Sequence, residues 1–124
     1  MIKSAIEAMH NSYSPYSKYK VGASALLKDG TIVVGTNIEN ASYGLSMCAE
    51  RVCLYNVYSK GYRKNDIISM CIASNKLSTP CGACRQVMME LLNPNSIVIL
   101  TDDKGNTKEY LVKDLLPDAF KLEV

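Results

Sequence analysis

No stretch of this sequence is apolar for long enough to cross a bilayer. The longest runs, Val21 to Leu27 and Ile97 to Leu100, fall far short of the roughly 20 residues required. The first residues, Met1 to Glu7, hold no basic segment leading into an apolar stretch and a small-residue cleavage site, so no secretory signal is expected and the expected location is the cytoplasm. Charge of one sign is scarce too. Lys and Arg number 14 against 12 Asp and Glu, a net +2, far from the concentrated positive charge that grips nucleic-acid phosphates. A small, weakly charged ligand is expected, with neither nucleic acid nor membrane as partner. Histidine is nearly absent: His10 is the only one, and it ends an amphipathic segment, which leaves little from which to build a Ser-His or Cys-His nucleophilic pair. Repeats, linkers and low-complexity segments are also missing. The 124 residues, 48% hydrophobic and 21% charged, read as a single domain over 1–124, large enough to bury one core.

What is present in excess is cysteine. Cys48, Cys53, Cys71, Cys81 and Cys84 make five, an odd number in a chain without a visible signal, which argues against a disulfide framework and toward metal or thiolate chemistry.

Ile2, Ala5, Ile6 and Met9 recur at helical spacing and predict an amphipathic helix over the first ten residues. Asn11 to Tyr19 combines turn formers with three tyrosines and reads as a surface loop. Val21 to Leu27 and Thr31 to Val34 flank Lys28-Asp29-Gly30, an Asp-Gly hairpin signal. Gly35 to Gly44 reads as a polar loop. From Cys48 a helix is expected to run with Cys48, Val52, Tyr55 and Ser59 on one face and to end at Lys60-Gly61. Ile67 to Ala73 reads as a strand buried on both faces. A second helix opens at Pro80-Cys81-Gly82 and carries Cys84, Val87, Met88 and Leu91 before Asn93-Pro94 stops it. Ile97 to Thr101 and Thr107 to Val112 are the remaining strands, followed by a helical turn around Asp114 to Leu116. This order predicts an α/β protein, a three-layer α/β/α arrangement around a five-stranded mixed sheet.

Cys48-Ala49-Glu50 together with Pro80-Cys81-Gly82-Ala83-Cys84 is the sharpest chemical signal. A Cys-x-x-Cys pair at a helix start puts both sulfurs on one side of the turn, and a third sulfur from another helix start completes a tripod for zinc. Three protein ligands leave a fourth position open, the mark of a catalytic rather than a structural site. Cys53, about 500° around the helix from Cys48 at ~100° per residue, faces elsewhere, and Cys71 in its apolar strand packs as a small hydrophobe. Glu50, two residues beyond Cys48, can lean over the open position without binding metal and move a proton. Alone, a Glu at a helix start merely complements the dipole; beside three cysteines it gains a chemical role. Two other readings stay open: a structural zinc with a fourth ligand from elsewhere, and a redox pair of Cys81 and Cys84.

A zinc ligand two residues before a Glu, with a later Pro-Cys-x-x-Cys, is the signature of zinc deaminases. Beyond it, Ser14-Pro15-Tyr16-Ser17-Lys18-Tyr19, Gly35 to Gly44, Cys48-Ala49-Glu50-Arg51, Pro80 to Gln86 and Leu115 to Phe120 closely resemble the short, homotetrameric cytidine deaminases, in family order over almost the whole chain. The block Asn37-Ile38-Glu39-Asn40-Ala41-Ser42-Tyr43-Gly44 points to the branch acting on free nucleosides.

The resemblance implies one Zn2+ per chain on Cys48, Cys81 and Cys84, with Glu50 as the proton shuttle. It implies Asn37 and Glu39 as ribose-hydroxyl binders and Ala49 as a further substrate contact. Tyr19 stands where the family usually has a phenylalanine packed on the base, and Lys20 where it often has proline. Tyr43 and Phe120 match positions that reach the nucleoside from neighbouring subunits, so the expected assembly is a homotetramer with shared sites. The implied reaction is hydrolysis of cytidine and 2′-deoxycytidine to the uridine forms with release of ammonia, in pyrimidine salvage. A deaminase of a related molecule, such as a nucleoside antibiotic or a base within RNA, is the alternative substrate class. Zinc with three thiolates carries excess negative charge. Arg51 and Arg85, each directly after a ligand motif, and two helix N-termini are expected to offset it. Gln86 is expected either to belong to the same network or to serve in packing.

Overall fold

Two glycines set the layers. In the computed structural model, which describes residues 1–120 and 122, Gly22 lies on β1 (Val21–Leu27) and Gly35 on β2 (Ile32–Thr36). A Cβ on Gly22 would sit 2.2 Å from the Ala5 carbonyl oxygen of α1 (Ile2–Met9), and one on Gly35 would sit 2.4 Å from the Cys53 nitrogen of α2 (Ala49–Ser59). Only glycine lets each helix backbone come so close. Gly22 pairs with Thr36 while the next residue, Ala23, pairs with Gly35. Adjacent residues of a strand point to opposite faces, so α1 and α2 cover opposite sides of the sheet.

The sheet order is β2-β1-β3-β4-β5, with β3 spanning Ile67–Ser74, β4 Ile97–Asp102 and β5 Thr107–Leu111. β3 and β4 run parallel and the other neighbours antiparallel. A parallel pair needs a crossover, and α3 (Gly82–Leu91) supplies it. α4 (Val112–Leu115) follows β5 directly.

The larger core lies between the sheet and α2 with α3, where Leu54, Val57, Met88 and Leu92 meet Met70, Ile72, Val98 and Leu100. Fully burying side chains of this size contributes about 1.5–3 kcal/mol each. The smaller core lies under α1, where Ala5 and Met9 meet Cys71 and Ala73. The five-stranded mixed sheet between helical layers is the architecture expected from the element order.

Several boundaries differ from the sequence reading. β2 continues through Gly35 to Thr36 instead of yielding to a loop at Gly35, because Gly35 is a paired strand residue beneath α2. On α2 the face carrying Val52, Tyr55 and Ser59 is half-buried to exposed. The core face is Ala49, Glu50, Cys53, Leu54 and Val57, a set whose charged member disguises its apolar period. Ile97, expected in a buried strand, is 42% exposed, since α1 stops short of that edge. The final helical turn begins at Val112, earlier than Asp114, because the Val112 and Lys113 N–H groups bond back to the Ser96 and Pro94 carbonyls.

Candidate active site

Cys48 and Cys81 occupy the same structural position on two helices. Each is the residue before the first helical turn, of α2 and α3 respectively, in extended backbone conformation, and neither side chain caps its helix. Both sulfurs therefore stand at the positive end of a helix dipole. Cys84, one turn into α3, is fully buried. Cys81 Sγ lies 3.4 Å from Cys84 Sγ and 4.0 Å from Cys48 Sγ, and all three sulfurs fall within 4.8 Å of one another.

This donor set fits zinc. With Zn–S distances of about 2.3 Å, tetrahedral sulfur ligands stand about 3.8 Å apart, and the observed separations bracket that spacing. Three thiols this close cannot all ionise without a cation. Donation from the Cys84 thiol, followed by the Arg51 guanidinium, draws Cys48 down to about 5, while Cys84 is pushed far up by the Cys48 sulfur and by burial. A divalent soft cation removes that conflict. The other two cysteines are unsuited: Cys53 is buried, donates to the Val33 carbonyl at 3.4 Å and is pushed up to about 12 by burial, and Cys71 is buried under α1.

Glu50 occupies the first turn of α2 and is 5% exposed. Burial, with the Cys48 charge adding to it, raises its carboxyl above the ordinary range. A carboxylate so placed holds a proton more tightly than an exposed one does. Arg51 Nη2 donates to Cys48 Sγ at 3.3 Å, and this bond keeps the guanidinium firmly charged.

Cys48, Glu50, Arg51 and Cys81 belong to the wall of a cavity of about 930 Å³. Tyr19, Asn37, Glu39, Tyr43, Cys48, Ala49, Glu50, Arg51 and Cys81 all line it. The polar loop residues are also structural. Asn37 Oδ1 accepts from the Ser12 hydroxyl and from Val21 N–H, and its Nδ2 donates to the Tyr19 carbonyl. Glu39 accepts from the Tyr16 and Ser17 N–H groups and the Ser17 hydroxyl, which holds its carboxyl below the usual range. Tyr43 is 90% exposed.

Three predicted residues stand apart from the sulfurs. Arg85, expected to offset thiolate charge, instead donates through Nε to the Pro80 carbonyl and through Nη1 to the Leu115 carbonyl; it braces the ligand loop against α4. Gln86 donates to the Phe120 carbonyl, and Phe120 is 71% exposed and outside the cavity wall. Sequence reasoning missed the contribution of Asn75 to Thr79, which supplies Ser78 and Thr79 to the wall. Its polar residues carry no spacing that distinguishes them from any other loop.

The family described as "Cytidine and deoxycytidylate deaminase zinc-binding region" matches residues 1–101. The cytidine deaminase of Halalkalibacterium halodurans is 47% identical over 123 residues, 99% of this chain and 93% of that protein. That of Sporosarcina psychrophila is 42% identical over 99% of this chain and 90% of that protein. The crystal structure of the Burkholderia pseudomallei cytidine deaminase superposes with a TM-score of 0.92 at 44% identity, covering 96% of this chain and 95% of that one. The Mycobacterium tuberculosis structure gives a TM-score of 0.82 at 35% identity over 98% and 95%.

Proposed function

Since the chain belongs to the cytidine and deoxycytidylate deaminase zinc-binding family, we propose that it hydrolyses cytidine and 2′-deoxycytidine to uridine and 2′-deoxyuridine with release of ammonia. The observation that carries this reading is the buried Glu50 beside a three-sulfur cluster, two of whose sulfur residues, Cys48 and Cys81, line the same cavity as Glu50.

Cys48, Cys81 and Cys84 hold zinc, which when bound supplies the Lewis acidity that makes water a competent nucleophile near neutral pH. Glu50 takes a proton from the attacking water as it adds to carbon 4 of the pyrimidine, delivers it to the ring nitrogen beside that carbon, and assists departure of the amino group as ammonia. Its raised carboxyl suits both halves of that transfer. Arg51 holds the Cys48 thiolate and limits the negative charge around the metal. The Tyr19 ring packs on the base, and Ala49 lines the base pocket. Asn37 and Glu39 address the sugar with hydrogen-bonding capacity left over from the loop, and since neither role requires a 2′ hydroxyl, both sugars are substrates.

A free nucleoside is favoured over its phosphate. The single cation in the cavity wall among the described residues is Arg51, and it is engaged by Cys48, while Glu39 would repel an anion. The whole chain acts as one catalytic domain. Exposed Tyr43 and Phe120 support a homotetramer in which neighbouring subunits complete each other's sites. Among the described residues no helix is long and apolar enough to cross a membrane, and reduced thiols as ligands fit the cytoplasm, where the enzyme serves pyrimidine salvage with neither nucleic acid nor membrane as partner.

The test is the ultraviolet absorbance change of cytidine, deoxycytidine and free cytosine with zinc-loaded protein, before and after chelation. Turnover of both nucleosides, silence on the base, and loss on chelation are the expected results. Silence on all three with zinc still bound would overturn the reading.

A further inference from the structure

The cavity mouth lies between two loops. Tyr16, Ser17 and Tyr19 form one lip; Ser78 and Thr79, leading into Pro80 and Cys81, form the other. The first loop is tied to the body of the protein by Asn37 and Glu39, which hold Tyr16, Ser17, Tyr19 and Val21 through their backbones. Those bonds fix the loop's inner side only.

The outer side is held across the mouth. The Tyr19 hydroxyl is hydrogen-bonded to the Ser78 hydroxyl and lies 3.4 Å from the Lys76 carbonyl, to which it donates. The adjacent Lys20 N–H donates to Asn75 Oδ1 at 3.0 Å. The Ser74 hydroxyl also reaches the Lys76 carbonyl, which ties the second loop back to the end of β3. These bonds need a phenol at position 19 and an N–H at position 20. Phenylalanine, which the resembled family usually has at position 19, lacks the hydroxyl, and proline, which it often has at position 20, lacks the N–H.

We propose that Tyr19 is a positioning residue as well as a base contact: its hydroxyl and the Lys20 N–H clasp the two lips together, holding the Tyr19 ring in the orientation that receives the pyrimidine. This rests on the deaminase reading for its effect on substrate, though the clasp itself does not. Ser78 is the specific partner. Without proline the loop has more backbone freedom to lose on binding, and the clasp removes that freedom before the nucleoside arrives. Its effect falls on binding, because neither hydroxyl is needed at the reacting carbon.

The test uses the full-length zinc-loaded protein with Tyr19→Phe, Ser78→Ala, their double variant and Ser78→Thr. Loss of one ordinary hydrogen bond predicts a KM for cytidine raised about fivefold in Ser78→Ala, and at least that much in Tyr19→Phe, which also loses the bond to the Lys76 carbonyl, with kcat within about twofold of wild type. The double variant is expected to be no worse than Tyr19→Phe, because the bond that Ser78→Ala removes is already lost there, and Ser78→Thr, which keeps the hydroxyl, is expected to behave as wild type. Limited trypsin digestion reads the loop without substrate: cleavage after Lys18 and Lys20 is expected to be about fivefold faster in Tyr19→Phe and Ser78→Ala. An unchanged KM in Tyr19→Phe, effects that multiply in the double variant, or equal tryptic rates would overturn the clasp. A wild-type protein inert toward cytidine would instead fail the deaminase reading, with the tryptic comparison still deciding the clasp.

Discussion

Arg51 and Cys48 are joined within one helical start: Arg51 Nη2 donates to the Cys48 sulfur at 3.3 Å from one turn further along α2. A thiolate and a guanidinium so placed form a charge-assisted pair. The Arg51 Nε is buried and has no hydrogen-bond partner among the described residues, so the side chain is held there by the sulfur end alone. Arg51→Gln is expected to fold and to bind zinc about 10–100-fold more weakly. Competition against a chromophoric chelator measures this, and an undiminished affinity would assign the guanidinium some other task.

Glu50→Gln keeps the shape of the side chain and removes its proton chemistry. Turnover is expected to fall by about 10²–10⁴-fold with zinc still bound at one per chain, measured by nucleoside assay and metal analysis on the same sample.

The same substitution has a stability signature with a definite sign. Burial raises the Glu50 carboxyl in the folded protein, so the native state holds its proton more tightly than the unfolded chain does. Below the ordinary carboxylate range both states are protonated and there is no penalty. As pH rises through the raised folded value, that stability is lost. Metal-free Glu50→Gln is therefore expected to melt higher than metal-free wild type at neutral pH, with the gap closing toward acid. A gap that widens toward acid would contradict the burial argument.

Gly35→Ala strikes at the site from the far side of α2. The added methyl would meet the Cys53 nitrogen at 2.4 Å and the Ala49 carbonyl oxygen at 2.8 Å, both backbone atoms that cannot swing away. A loss of about 1–3 kcal/mol is the least expected of such overpacking. Because the displaced turn carries Cys48 and Glu50, activity per folded molecule should fall as well. Denaturant titration together with the nucleoside assay separates the two effects.

Arg85→Ala leaves the Pro80 and Leu115 carbonyls without their donor. Bonds to a charged group are worth about 1.5–3 kcal/mol, so a Tm decrease is expected, along with faster zinc loss from the Cys81 loop. Arg85→Lys should not rescue it, because an ammonium lacks the planar fork that reaches two carbonyls at once. Rescue by lysine would mean that charge alone is sufficient.

The local elements were largely readable because their signals are local. Lys28-Asp29-Gly30 folds as the expected hairpin, with Gly30 at φ 90, and Pro80-Cys81-Gly82 opens α3 where expected. Gly35 misled, since a glycine demanded by an overlying helix looks the same in sequence as one demanded by a turn. Arg85 misled in a similar way: its place next to a ligand cysteine suggested the metal, but helical geometry turns it one residue away, toward backbone carbonyls. Ser78 offered no signal at all.

The sequence by itself determined the metal-ligand cluster, the glutamate next to it and the order of the elements. The Cys-x-x-Cys spacing and the Glu two residues past Cys48 are short-range chemistry, written in adjacent positions and held by helix geometry. Only the tertiary structure decided how those pieces meet. Two glycines set helices on opposite faces of one sheet, the α2 and α3 N-termini came together to bring three sulfurs within 4.8 Å, and Tyr19 found Ser78 across the cavity mouth. Contacts of that kind join residues tens of positions apart, and their partners are chosen by packing rather than by local pattern.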